Sequence, residues 1–454
     1  MATSKKNNIY CYIYIFLINL SFICCIVEIP LQAMKVKGIP KYKNLTIIEP
    51  GSPLIEKNGT FYYQQGNAEI NIELIFFASI KIGSNSQPFN LLLDTGSSVL
   101  WVTKIGCTDC SPQITRHYNP RSSTTCEGPD TSFSIRYGTG YVSGDYYNDN
   151  VEYLSNKKFN MYFGVASIAD FTLTNCDGII GLTRSYDDER YSFIHMLKRY
   201  GNTDSTAFSI KFENDMFKGG VKGTMYIGVH EDFSKSDTVS CPLVYYRDKI
   251  FWAAELSSFG LKNNDHKATS SKKTDIIFDT GTNFIILPTL YLKDIEKDLS
   301  DFNCYSIPNN NDYHIVCPVS RNLPELRFEI NGNTLIIPSN YAFYYSNGNK
   351  NYVYSMVVFT DSLMNIMGSV FFFLFHTLFD EENNELKFYP LNGKIEGGLS
   401  TLVIVIIVIC SIGLAIAIGL IVYYIVKRCK RKKEDMPQGD IGINYFENDY
   451  HPQM

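Results

Sequence analysis

One pattern occurs twice in this 454-residue chain and limits the folds open to it. Phe89-Asn-Leu-Leu-Leu-Asp94-Thr95-Gly96-Ser97 returns as Thr274-Asp-Ile-Ile-Phe-Asp279-Thr280-Gly281-Thr282. In both copies an apolar run enters Asp-Thr-Gly, and a hydroxyl residue follows. A second element repeats behind it, as Ile179-Ile180-Gly181-Leu182 and Ile366-Met367-Gly368-Ser369. Gly181 lies 87 residues after Asp94, and Gly368 lies 89 after Asp279. Two elements repeated at matched spacing imply two related lobes.

Short segments rich in Ile, Val, Phe and Tyr, broken by Gly, Asn and Pro, predict an all-β-dominated fold from about residue 70 to 395. Strands are expected over Ile75–Ile82, Asn90–Leu93, Phe133–Tyr137, Gly223–Gly228 and Leu335–Pro338. Helices are expected over Ser192–Tyr200 and Leu290–Leu299. The chain is 45% apolar and 19% charged, which suits a folded protein and excludes a disordered one. The one basic cluster adjoins an apolar span, so no nucleic-acid footprint is present.

That span, residues 399–426, carries no charge and is long enough to cross a bilayer. Lys427, Arg428, Lys430, Arg431, Lys432 and Lys433 follow it and would hold a tail of residues 427–454 in the cytoplasm. Lys5 and Lys6 precede an apolar run, Ile9–Val27, which reads as a secretory signal over residues 1–27, with an uncleaved anchor as the alternative. A single-pass type I membrane protein of the secretory pathway is therefore expected, its ectodomain lumenal or extracellular. Sequons at Asn44 and Asn58 fit that side, as a glycoprotein would require. Seven cysteines fall in the ectodomain, an odd number, so at least one is free or intermolecular. Cys107 with Cys110, and Cys304 with Cys317, are the preferred local pairs. Cys107-Thr-Asp-Cys110 alternatively suits a metal or redox pair, without a second such pair in support. The seven His show no metal-ligand spacing, so neither metal nor cofactor is expected.

The residues around each Asp suit acid–base chemistry. Two carboxylates held close cannot both ionise cheaply, so together they retain one proton. Gly96 and Gly281 allow close backbone approach, and Ser97 and Thr282 can donate to the outer carboxylate oxygens.

Over about residues 70–392 the chain resembles the pepsin-like aspartic proteases. Asp94-Thr-Gly-Ser-Ser-Val-Leu-Trp-Val102 and Asp279-Thr-Gly-Thr282 carry the resemblance. It implies a bilobal fold, with lobes over 71–240 and 241–396, followed by a C-terminal transmembrane helix. It also implies general acid–base activation of water by Asp94 and Asp279, and protein or peptide substrates. Tyr137-Gly138-Thr139-Gly140 resembles the family's substrate-binding flap, Trp101 the Trp that bonds the flap Tyr, and Thr95 and Thr280 the threonines that brace the two loops. Residues 28–70 resemble a zymogen prosegment, in which Lys35, Lys37, Lys41 and Lys43 would pair with the acidic cleft; a solvated linker is the plainer reading. Ser369 departs from the Asp of many members, and this is expected to make Asp279 ionise more readily. Cys317 lacks the family's usual distant partner, for which Cys304 substitutes. The ectodomain is expected to be monomeric, and the whole is similar to plasmepsin-type enzymes. The rival reading is a catalytically silent receptor on the same fold.

Overall fold

The computed structural model describes residues 26–33, 55–57, 60–62, 76–112, 114–138, 140–170, 176–184, 188–213, 222–246, 251–261, 274–309, 312–319, 323–344, 351–396, 413–414, 416–425 and 427. They divide into two units, Met1–Glu396 and Gly397–Met454.

Each Asp-Thr-Gly lies at the end of a strand. Gln87–Asp94 carries the first copy, and Thr274–Phe278 leads into the second. Leu91, Leu93, Ile276 and Phe278 are fully buried, so the apolar run is what lets the backbone pass through the core. The second repeated element is the neighbouring strand in each case. Gly178–Gly181 runs parallel to Gln87–Asp94, with Ile180 opposite Leu93. Asn365–Met367 runs parallel to Thr274–Phe278, with Met367 opposite Phe278. Each then takes an antiparallel neighbour, Trp101–Thr103 or Ile285–Pro288. The sequence repeat is thus a repeat of topology. Its glycines are required by close approach: a Cβ on Gly181 would lie 2.3 Å from Val99 N, and one on Gly368 2.1 Å from Phe284 O.

A platform joins the halves. Its strands run Val239–Pro242, Glu385–Pro390, Phe375–Asp380, Phe208–Phe212, Lys222–Ile227 and Val27–Ala33, continuing into Phe76–Ile82. A division at residues 240 and 241 assigns Phe375–Pro390 to the C-terminal lobe, whereas hydrogen bonding puts those strands on the N-terminal sheet. Val27–Ala33, at the start of the expected prosegment, is also built into this sheet. Lys35, Lys37, Lys41, Lys43 and Asn44 lie outside the described residues. Beneath the platform, Phe208 stacks on Phe379 at 4.8 Å and Trp252 meets both edge-on. Burying each such ring contributes about 2–3 kcal/mol.

Disulfides join Cys107 to Cys110 and Cys304 to Cys317, while Cys126 and Cys241 are free. The expected helices appear as Phe193–Arg199, capped by the Ser192 hydroxyl, and Leu292–Leu299.

The platform also buries a charge cluster. Asp232 accepts from Lys211 Nζ at 2.6 Å and from Lys235, and it lies 3.0 Å from His376 Nδ1. Burial alone would raise the Asp232 pKa, but these partners outweigh burial and hold it below the carboxylate range. Burial pushes His376 down to about 3 despite Asp232. An unfolded histidine takes up a proton near pH 6.5, whereas folded His376 does so only near 3. The unfolded state therefore binds more protons in that window, and stability is lost as pH falls through it. His376→Gln, which has no proton to gain, is expected to flatten this acid slope in Tm measured against pH.

In the C-terminal unit residues 413–414 and 416–425 are helical. Leu414, Ile416, Ile418 and the residues from Leu420 to Ile425 are exposed. No helix among the described residues is long and apolar enough to cross a membrane. Residues 399–412 of the expected span, and residues 1–25 of the expected signal, lie outside the described residues.

Candidate active site

The two Asp-Thr-Gly loops meet through their threonines. Thr95 N donates to Thr280 Oγ1 at 3.1 Å, and Thr280 N donates to Thr95 Oγ1 at 3.0 Å. Each hydroxyl in turn donates to a carbonyl of the opposite strand, Thr95 to Phe278 O and Thr280 to Leu93 O, both at 2.8 Å. Both threonines are fully buried, so this four-bond joint is out of reach of water.

The joint brings Asp94 and Asp279 face to face, each held in the same way. Gly96 N donates to Asp94 Oδ1 at 2.9 Å, and Ser97 Oγ donates to Asp94 Oδ2. Gly281 N donates to Asp279 Oδ1 at 2.8 Å, and Thr282 Oγ1 donates to Asp279 Oδ2 at 2.6 Å. The glycines also lie against the opposing carboxylate. A Cβ on Gly96 would sit 2.8 Å from Asp279 Cγ, and one on Gly281 2.5 Å from Asp94 Oδ1. Any larger residue would force the pair apart.

Asp94 is 5% exposed. Burial, and then the charge of Asp279, raise its pKa well above the carboxylate range, against the opposing bonds from Ser97 and Gly96. The pair therefore retains a proton at pH values where an ordinary carboxyl has lost it, and that proton belongs to both groups.

The strands Ser132–Tyr137 and Gly140–Leu154 form an antiparallel hairpin, with Tyr137 paired to Gly140. Trp101 Nε1 donates to Tyr137 Oη at 2.9 Å. Burial, and then the negative charge of Asp94, raise the Tyr137 hydroxyl pKa. Gly138 is exposed at the turn, and Thr139 lies outside the described residues.

Some supports were not read from the sequence. Asp177 Oδ2 accepts from Asn90 N at 2.9 Å and from Arg116 Nη1 at 3.0 Å, pinning the strand that ends at Asp94. In the second half Asn365 Nδ2 donates to Asp275 O at 2.8 Å. Trp252 Nε1 donates to Leu182 O behind the site. Arg116 and Trp252 have no local motif; only the scarcity of tryptophan, two in the chain, marks Trp252 out. Ser369 is buried, and its hydroxyl donates to Thr280 O at 3.0 Å. Ser369→Asp would add a negative charge beside the Asp279 loop. The shared proton is then expected to persist to higher pH, moving the activity profile up by about one pH unit. An unchanged profile would remove Ser369 from any role in setting it.

Strand pairs in duplicate, joined at two threonines around facing carboxylates, define a bilobal protein with a carboxylate-dyad site. The model of the eukaryotic aspartyl protease family matches residues 75–391. The chain belongs to that family and is by class an aspartic-type hydrolase. It is 27% identical to gastricsin of Cavia porcellus, over 70% of this chain and 80% of the relative. It is 31% identical to vacuolar protease A of Arthroderma otae, over 58% and 64%, and 26% identical to pepsin A of Rhinolophus ferrumequinum, over 81% and 96%.

Proposed function

We propose that this chain is a membrane-anchored aspartic endopeptidase in which Asp94 and Asp279 activate one water against a peptide carbonyl. The observation that carries the reading is the matched holding of the two carboxylates, each taking one backbone N–H and one hydroxyl. Those four bonds fix both oxygens of each carboxylate, a hydroxyl on one and a backbone N–H on the other, and leave the remaining lone pairs to share a proton and a water. The ionised partner takes a proton from the water as it attacks. The protonated partner hydrogen-bonds the carbonyl oxygen, and a proton then passes to the leaving nitrogen. An extended peptide would lie in the cleft beneath the hairpin tip at Tyr137, Gly138 and Thr139, adding backbone bonds as an extra strand. No metal or cofactor takes part.

The uncharged run 399–426, followed by six Lys and Arg, supports a type I anchor. So does its described part, which carries exposed apolar side chains from Leu414 to Ile425, as a lipid-facing helix would. A signal over 1–27, a prosegment over 28–70 and a plasmepsin-like subtype complete the reading.

The test is peptide cleavage by the purified full chain in detergent, from acid to neutral pH, with and without a statine-type hydroxyl inhibitor. Cleavage that the inhibitor blocks supports the reading. A folded chain free of its prosegment that cleaves nothing would transfer the assignment to a silent receptor.

A further inference from the structure

Trp252 stands outside the sequence repeat and outside the flap, yet it touches the backbone behind both aspartates. It is 2% exposed. Its ring Nε1 donates to Leu182 O at 2.8 Å, and Leu182 N donates to Asp94 O at 2.8 Å. Its own carbonyl accepts from Phe278 N at 2.8 Å, and Phe278 is the residue before Asp279. Phe278 O accepts from Thr95 Oγ1 at 2.8 Å, and Thr95 follows Asp94. These bonds close a ring that passes through Asp94, Leu182, Trp252, Phe278 and Thr95. The indole reaches from the start of the strand Ala253–Leu261, which pairs with the Asp279 strand, to Leu182 behind Asp94.

We propose that Trp252 is a positioning residue that sets the separation of Asp94 and Asp279 from behind. The proposal rests on the reading that these two residues are the catalytic dyad. The front of the site cannot set the separation alone, because the threonine joint acts through the threonine hydroxyls one residue past each Asp. There is also no slack, since each loop glycine already lies against the opposing carboxylate. The interaction of two charges in a dry site varies steeply with their distance. A small relaxation would therefore alter how the proton is shared. The indole is itself held edge-on to Phe208 at 5.7 Å and to Phe379 at 5.2 Å. These rings come from platform strands of the two halves, so Trp252 refers the dyad spacing to the platform that joins them.

Trp252→Phe keeps an aromatic ring and removes the N–H. It is expected to lower kcat per active site about tenfold or more, since small misplacements far from the chemistry carry such costs. KM is expected to stay within about twofold, and the limbs of the kcat/KM profile against pH to shift. Active sites would be counted by titration with a tight-binding inhibitor. The same result is expected on replacing Trp252 with its benzothienyl isostere, which keeps the full volume if the Phe variant folds poorly. A Trp252 that only fills space would lower Tm while leaving kcat per titrated site and both pH limbs unchanged, and that outcome overturns the proposal. Absence of cleavage by the wild-type chain would instead overturn the underlying dyad reading.

Discussion

Asp94→Asn and Asp279→Asn are each expected to lower kcat by about 10²–10⁴-fold or more, the range that general acid–base groups supply, while leaving the protein folded. An Asn at position 94 can still accept the Gly96 N–H with its Oδ1, and its Nδ2 can donate to the Ser97 hydroxyl oxygen in place of accepting from it, so the loop keeps its shape. It cannot give or take the shared proton. At Asp94 the substitution carries a second, opposite signature. The folded-state pKa of Asp94 is raised by burial and by Asp279. The folded state therefore holds this proton where the unfolded chain has released it. Its contribution to stability is full below the ordinary carboxyl pKa and is lost as pH rises through the folded value. Each unit of such a shift corresponds to about 1.4 kcal/mol. Asp94→Asn removes that loss, so the inactive variant should have a higher Tm than wild type near neutral pH. A variant that was inactive through misfolding would instead have a lower one. Peptide cleavage and thermal melts on the same samples separate the cases.

The threonine joint carries the largest expected effect on stability. Thr280→Val keeps the shape of the side chain and deletes its hydroxyl, leaving Leu93 O and Thr95 N buried without partners. At about 1–3 kcal/mol for each unsatisfied buried group, the cost is about 2–6 kcal/mol. Thr280→Ser restores the hydroxyl and should recover most of it. Thr95→Val is expected to act likewise through Phe278 O and Thr280 N. The two substitutions remove different bonds, so any departure of the double variant from the sum of the singles measures the coupling of two residues in direct contact. Urea unfolding gives all four values. Val and Ser variants of equal stability would mean that the joint contributes packing alone.

Much of the site was legible because its chemistry is local. Asp, Thr, Gly and a hydroxyl residue within four positions contain nearly every donor that holds each carboxylate, so reading the motif reads the cradle. The strand leading into each copy was legible for a similar reason, since Leu91–Leu93 and Ile276–Phe278 are apolar on both faces. What pairs with those strands was visible only as a second repeat. Its parallel placement follows from hydrogen bonds between residues nearly ninety positions apart, which leave no local trace.

The platform was less legible still. Nothing in Phe375–Asp380 indicates that it returns to Phe208–Phe212 of the other half, since an apolar strand carries no mark of its partner. Val27–Ala33 was read with the leader and prosegment, because a lysine-bearing N-terminal region suggests processing more strongly than pairing. Trp252 and Arg116 share this difficulty, as each acts on a strand distant in sequence. The terminal helix poses the opposite case. Its apolar run was plain in the sequence, and its described residues present those side chains outward.

The central claim is that one proton, shared by Asp94 and Asp279, governs attack of water on a peptide bond. The most direct measurement is kcat/KM for a peptide substrate across pH, for the wild-type chain beside Asp279→Asn. Wild type is expected to give a bell, one limb for the first ionisation of the pair and one for the second, and the variant to lose at least about 10²-fold in activity at every pH together with the bell. A wild-type profile with a single limb, or cleavage by Asp279→Asn that keeps the wild-type profile, would contradict the claim.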